Sequence, residues 1–238
     1  MKILLKRTAA LLGYEIHRRR PPAPGTDWLA DLQRFLHGRT APVLCDVGAN
    51  RGDVSVRLAQ SFPAPARIFA FEPARETFSA LAARMAGDPH VHVEAIALGR
   101  EAGPSTLQHG PNSETNRVAD PSAPGTGSSE PIAMDTLDGV AARLGLARID
   151  FIKTDTEGHD LAVLQGGTGL FQRGAIDAVL SEVTFESPAD WHSSFEAIRD
   201  FLIPLGFCLH GIYEPVNWEL RLKYANVLFV RESDVTPA

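Results

Sequence analysis

One stretch constrains this chain more than any other: Val43-Leu44-Cys45-Asp46-Val47-Gly48-Ala49-Asn50-Arg51-Gly52. Apolar, β-compatible residues run into a carboxylate, two glycines bracket an amide, and a new periodicity starts at Val54. That order predicts a buried parallel strand, a tight turn and a helix N-terminus. Glycine lets a ligand approach the backbone closely, and the helix offers unpaired N–H groups at the positive end of its dipole. Asp46, at the carboxyl end of the strand, adds its charge to the same crevice. The next strand, Ile68 to Phe71, runs into Glu72-Pro73. Glu72 lies twenty residues past Gly52, where a doubly wound nucleotide-binding unit places the acid that grips a ribose. Asp46, Gly48, Asn50, Gly52 and Glu72 are therefore candidates for holding a nucleoside. The plainer reading of Glu72 is an ordinary strand-end carboxylate.

Further along, strands and helices alternate. Trp28, Leu32, Phe35 and Leu36 share one helical face; Val54, Leu58 and Phe62 mark a first crossover helix; Phe78, Leu81, Ala82 and Met85 mark a second. A third strand is predicted from Val91 to Ala95, and a helix opens at Asp135-Thr136, with Asp135 and Asp138 suited to capping it. A strand from Ala178 to Ser181 ends at Glu182, and Phe195, Ile198 and Leu202 mark the last helix. Phe207 to Gly211 and Asn226 to Val230 read as an antiparallel pair at the sheet edge, joined by an irregular excursion from Tyr213 to Tyr224. The expected architecture is α/β: a three-layer sandwich around a seven-stranded, mostly parallel sheet with one antiparallel edge strand.

Two segments break the rhythm. Residues 99–131 are rich in Gly, Pro and Ser and read as a long loop holding one short strand-like piece, Ser105 to Gln108; its Asn112, Ser113 and Asn116 suit a polyhydroxylated substrate as well as they suit solvent. The second is Ile149-Asp150-Phe151-Ile152-Lys153-Thr154-Asp155-Thr156-Glu157-Gly158-His159. It delivers Asp155, Glu157 and His159 at one strand end, beside the Asp46 tip if the two strands are neighbours.

Composition sets limits on all of this. A length of 238 residues with 44% hydrophobic content suits one α/β domain, taken as residues 26–238 with a core at 40–210. The formal charge of −6 argues against a nucleic-acid partner. Residues 1–25 read as an arm: positions 1–20 hold six Lys/Arg against one Glu, and Pro21-Pro22-Ala23-Pro24-Gly25 follows. Such an arm can lie on an anionic membrane surface or pack on its own domain. Cys45 and Cys208 sit in predicted strands and suit a reducing compartment. With no apolar run long enough to span a bilayer, the expected location is the cytoplasm, with peripheral membrane contact through residues 1–20 as the variant.

Asp46-Val47-Gly48-Ala49-Asn50-Arg51-Gly52, Phe71-Glu72-Pro73, Asn112-Ser113, Thr136-Leu137-Asp138 and Asp150 to Gly158 occur in this order in FkbM-type methyltransferases, which this chain resembles over about residues 40–210. The resemblance implies the class I methyltransferase fold, S-adenosylmethionine as donor with S-adenosylhomocysteine as product, and transfer to an oxygen of a sugar, polyketide or other natural product. By position, Asp46, Gly48, Asn50 and Gly52 would line the cofactor, Glu72 would hold its ribose, and the turn from Asp155 to Gly158 would face cofactor and acceptor. His159 departs from the family pattern.

The chemistry can be argued separately. A sugar hydroxyl does not ionise at neutral pH, so a general base must take its proton as the methyl arrives. His159 is the first candidate, Glu157 the second, and Glu182, on the acceptor side, the third. Asp155 and Glu182 can also share a Mg²⁺, although their spacing does not demand one and the metal-free reading is preferred. Two rivals from other classes are a nicotinamide-dependent oxidoreductase, which would use Glu72 equally well, and a catalytically silent module that binds a glycan or a membrane enzyme. The identity of the acceptor and the oligomeric state are not legible.

Overall fold

The computed structural model describes residues 22–119, 127–186 and 192–232. The arm reading for residues 1–25 therefore lies outside the described residues, apart from 22–25. Those four turn into helix α1 (Trp28–Phe35), where Asp27 caps the helix by accepting from the Leu29 and Ala30 N–H groups.

Strand β1 (Val43–Val47) is buried along its whole length and pairs in parallel with β2 (Arg67–Phe71) on one side and β8 (Ile149–Thr154) on the other. β2 is followed by β3 (Val91–Glu94), and β8 by β9 (Ile176–Thr184). Because side chains alternate across a strand, Val43, Cys45 and Val47 join one core while Leu44 joins the other. Helices α1, α2 (Asp53–Ser61) and α3 (Arg75–Met85) cover the Leu44 face, with Trp28 stacked on Phe151 at 6.0 Å. Helices α4 (Leu137–Arg143), α5 (Asp160–Gln165), α6 (Thr168–Gln172) and α7 (Phe195–Leu202) cover the other. This is the three-layer class that the sequence predicts. At the opposite end of the sheet from the crevice, buried Asp150 accepts from the Val43 N–H at 2.8 Å, and Arg39 and Arg148 pair with Asp150 and Asp177.

The structure differs from expectation in four places. First, the reversed strand is not at the edge. β12 (Arg221–Arg231) lies between β9 and β11 (Phe207–Trp218), antiparallel to both, and β11 is the outermost strand. Both faces of β12 are needed to complete the core, as buried Val227, Leu228, Phe229 and Val230 show. A two-residue strand, β10 (Ser193–Ser194), adds to β9 in parallel.

Second, the segment from 213 to 224 is not an excursion. The arms of the β11–β12 hairpin stay paired up to Trp218 and Arg221, around a two-residue turn. Third, the described parts of residues 99–131 hold more strand than the one piece expected at Ser105 to Gln108, which lies within β5 (Gly103–Gln108). They also supply β6 (Arg117–Val118) and the start of β7 (Ser129–Asp135), which with β5 and β4 (Ala97–Leu98) form a second sheet in the order β4-β7-β5-β6. Its small apolar cluster consists of buried Leu107 and Ile132 with Ala74 and Ala97, and of half-buried Val118 and Met134 packed against them, too scattered for a periodic sequence signal. Fourth, Thr136, not Asp135 or Asp138, caps α4, through Gly139. Asp138 instead accepts from the Gly169 and Leu170 N–H groups at the start of α6.

Candidate active site

The chain leaves β1 toward β2 and β3 on one side and returns through β8 and β9 on the other, so the strand order reverses at the β1/β8 junction. The carboxyl ends of those strands are where an open parallel sheet forms its crevice. The Gly48 and Ala49 N–H groups both donate to the Phe71 carbonyl at 3.0 Å, and the Asp155 N–H donates to the Val47 carbonyl at 3.0 Å. These bonds bring the three strand ends together. Gly48 has φ +79°, and a Cβ there would overlap the Asp155 carbonyl oxygen, so the approach of the two turns requires glycine.

A cavity of about 660 Å³ opens above this junction, a volume typical of small-molecule sites. Of the residues predicted from sequence, Asp46, Gly48, Asn50, Glu72, Ser113, Asn116, Asp155, Glu157, His159 and Glu182 line it. Gly52 and Asn112 do not. Gly52, at φ +87°, is the left-handed residue that starts α2. Asn112 is exposed and caps the short 3₁₀ turn Ser113–Thr115 through the Glu114 N–H. The Asn116 side-chain oxygen accepts from the Gly110 N–H at 3.1 Å, which shapes the wall but uses that acceptor.

The donor half of the cavity is formed by β1 and β2. Asp46 is fully buried. Ser55 Oγ donates to its Oδ2 at 2.6 Å, while Oδ1 has no partner. Burial holds its pKa above the ordinary carboxylate value despite the nearby Lys153 ammonium. An unmatched carboxylate oxygen facing a cavity is suited to a cation, and the Asn50 side-chain oxygen is likewise buried without a partner. Glu72 is already committed. Its Oε2 accepts from the Asn50 N–H at 2.8 Å, and its Oε1 accepts from the Ala74 N–H and the Thr77 hydroxyl. It therefore braces the glycine turn and the start of α3, with less capacity for ribose hydroxyls than a free strand-end carboxylate. Orphaned oxygens and a glycine cradle beside an acid at the β2 tip fit the sulfonium nucleoside that the family resemblance implies.

The acceptor half is formed by β8, β9 and the second sheet. Asp155, Glu157 and Glu182 bring carboxylate oxygens within 4.8 Å of one another, an arrangement able to hold a divalent cation. Lys153 Nζ donates to Asp155 Oδ2 at 2.7 Å. Burial alone would lower the Lys153 pKa, but Asp155 and Asp46 outweigh it and hold the ammonium above its ordinary value. Lys153 likewise overcomes burial at Asp155 and keeps that carboxyl below the usual range. The repulsion from the ionised Asp155 then falls on the other two and favours their protonated forms. Burial, then Asp155, pushes Glu157 up to about 8 and Glu182 up to about 9. Glu157 also holds a left-handed backbone, φ +52°, of the kind that tends to accumulate at functional sites.

His159 caps the start of α5, with its Nε2 buried without a partner against Gly99. Burial, then the Arg100 guanidinium, holds it below the ordinary imidazole value, hence neutral.

Sequence reasoning missed His192. Its Nδ1 lies 3.2 Å from Glu182 Oε2 and 3.9 Å from Glu157 Oε2, and its ring packs 4.8 Å from Tyr224. No motif precedes it. The signal would have been its adjacency to β10, which only the pairing with β9 makes visible. Lys223, Tyr224 and Arg117 complete the wall.

A family model described as the methyltransferase FkbM domain matches residues 46–209. A search of curated proteins returns no match. Among solved structures, a methyltransferase FkbM from Methylobacillus flagellatus KT is similar at 15% identity and TM-score 0.53, covering 80% of this chain and 44% of that one. This chain thus spans less than half of that relative. An rRNA methylase from Streptococcus thermophilus is similar at 10% identity and TM-score 0.49, over 91% of this chain and 99% of that one. A magnesium protoporphyrin IX methyltransferase from Synechocystis PCC 6803, solved with bound S-adenosylmethionine, is similar at 12% identity and TM-score 0.47, over 97% of each chain.

Proposed function

The chain belongs to the FkbM methyltransferase family, and from that premise we propose that it transfers a methyl group from S-adenosylmethionine to a hydroxyl oxygen of a sugar, glycan or other small natural product. The single observation that carries this reading is the division of the cavity. One half has a buried, unmatched Asp46 oxygen suited to a cation, and the other has a cluster of proton-holding groups suited to a hydroxyl. Asp46, Gly48 and Asn50 would hold the cofactor, with Glu72 fixing the turn and reaching its ribose. When bound, the cofactor supplies a methyl group made electrophilic by the sulfonium.

The chain's own residues then have to align the acceptor and take its proton. His192 is the proposed base. With its Nδ1–H directed at Glu182, its other ring nitrogen is the acceptor, and Glu182 in turn shares a hydrogen bond with Asp155. Lys153 keeps Asp155 ionised, so charge arising on the imidazole is met by a carboxylate two residues removed in the chain of contacts. Glu157 crowds the same cluster, and Ser113 and Asn116 would face the acceptor from the 3₁₀ turn between β5 and β6. His159, the base suggested by the sequence, stands on the Gly99 side of the cavity and is tested beside His192.

The experiment uses tritiated S-adenosylmethionine with the small-molecule and glycan fraction of cells that lack this protein. Label should enter an acceptor through a base-stable, ether-type bond. Label that enters only RNA or protein, or none at all, would refute the reading. Activity that EDTA leaves unchanged fits the metal-free form, and activity lost to EDTA and restored by Mg²⁺ would make Asp155 and Glu182 ligands.

A further inference from the structure

The β11–β12 hairpin runs beyond the sheet that supports it. Its last contacts with the β9 side are Tyr224 against Thr184 and the Lys223 carbonyl, which accepts from Thr184 Oγ1 and the Phe185 N–H, and the strand pairing of residues 216–222 lies within the hairpin. At its tip the side chains are the wrong kind for water: Trp218 is 66% exposed, Leu220 is 103% exposed, and Val216 adds to them. The turn itself breaks a local rule. Glu219 (φ +46°) and Leu220 (φ +67°) both hold the left-handed conformation that a two-residue hairpin turn requires, a position where Asn or Gly is favoured and Leu is strained. A residue that is both strained and fully exposed is poorly explained by folding, and such conflicts collect where a protein meets something else.

Three observations point to the same occupant. The Lys223 ammonium lies 5.9 Å over the Trp218 ring and Arg221 is beside it, the pairing of aromatic, aliphatic and basic groups that suits the headgroup boundary of a bilayer. Glu214, at the base of the tip, is met by Arg57 at 3.6 Å, and Glu219 in the turn offsets one of the two cations, so the outer hairpin keeps a net positive charge. Residues 22–25, which follow the strongly basic segment 1–20 in the sequence, lie at this edge, where Asp31 accepts from the Gly25 N–H and from the Tyr213 hydroxyl of β11. Lys223 and Tyr224 also line the cavity, so whatever the tip rests on is adjacent to the acceptor half of the site.

We propose that the tip of this hairpin inserts into the surface of an anionic membrane, so that the cavity opens on acceptors anchored in that membrane. Trp218 and Leu220 supply the apolar contact, and Arg221 and Lys223 meet the lipid phosphates. The acceptor class is then amphiphilic, a saccharide or other hydroxylated head carried on a lipid.

The test is co-sedimentation of the full chain with phosphatidylcholine vesicles, with and without about one third phosphatidylglycerol. It compares the parent with Trp218→Ser, Leu220→Asn and the double variant. The parent should bind the anionic vesicles and bind neutral ones at least tenfold more weakly. The double variant should lose at least tenfold on anionic vesicles. Asn accepts the left-handed turn more readily than Leu, so Leu220→Asn should raise the melting temperature while it weakens vesicle binding. A purely structural role could not produce that opposition. Three results would overturn the proposal: no vesicle binding by the parent, equal binding by the double variant, or a dimer in solution that the double variant dissolves. The readout involves no methyl transfer, so its failure leaves the proposed activity standing.

Discussion

At the scale of single residues, the cavity concentrates charges that its own protein atoms do not neutralise. Glu157 shows the consequence for stability. Its carboxyl titrates near 8 in the folded chain, above its ordinary value of 4.5, so folding takes up a proton between those two pH values and stability falls as pH rises through that window. Glu157→Gln should therefore raise the melting temperature at pH 8.5 and leave it unchanged at pH 4, measured by calorimetry in matched buffers. The two imidazoles separate by kinetics. His192→Ala should lower transfer about 100-fold or more while S-adenosylmethionine affinity changes by less than about threefold, and His159→Ala should cost far less turnover. The reverse order of the two variants would return the base role to His159. The acids were legible in the sequence because strand, turn and spacing mark them. His192 was not, because its position depends on a parallel contact between β10 and β9 that no local pattern encodes.

At the scale of elements, the meeting of two turns governs the site. The β1–α2 and β8–α5 turns touch through Gly48, where any side chain would overlap the Asp155 backbone. Gly48→Ala should cost about 1–3 kcal/mol in strain alone, with a further loss from the overlap, and should abolish cofactor binding. An Ala variant with normal stability and affinity would mean that the two turns are not held as described. The glycine turn and the acid at the β2 tip followed from sequence, because each rests on local chemistry at the spacing of a βαβ unit, whereas the adjacency of β1 and β8 was a condition that the pairing supplies. Of the second sheet's pieces within residues 99–131, only the strand-like stretch from Ser105 to Gln108 in β5 followed from sequence. β5 lies between β7 and the two-residue edge strand β6, and apart from Leu107 its residues are small or polar and largely exposed, so ladder pairing and not an apolar period holds it. The order of β11 and β12 was equally hidden, since two antiparallel strands read the same from sequence whichever lies inside.

At the scale of the whole molecule, two cores meet at one sheet, and the site draws on both. Phe151 and Leu44 lie on the α1–α3 face, Ile152 and Val47 on the other, all within a few residues of the acidic tips. Trp28, buried and stacked on Phe151, anchors one layer to β8. Trp28→Ala should cost about 3–5 kcal/mol, read as a lowered midpoint in denaturant. A loss below about 1 kcal/mol would show that α1 is a peripheral addition. A ligand that binds only the folded state should stabilise the whole domain. S-adenosylmethionine at a hundred times its dissociation constant should add about 2.7 kcal/mol, seen as a higher melting temperature. The fold class was legible at this scale because the alternation of strand and helix leaves few topologies open.

The most direct test of the account is calorimetric titration of S-adenosylmethionine into the parent chain and into Asp46→Asn. The parent should bind one equivalent, and the variant, having lost the unmatched carboxylate oxygen while keeping its volume, should bind at least tenfold more weakly. Equal affinity in the two proteins would contradict the assignment of the β1 tip to the cofactor.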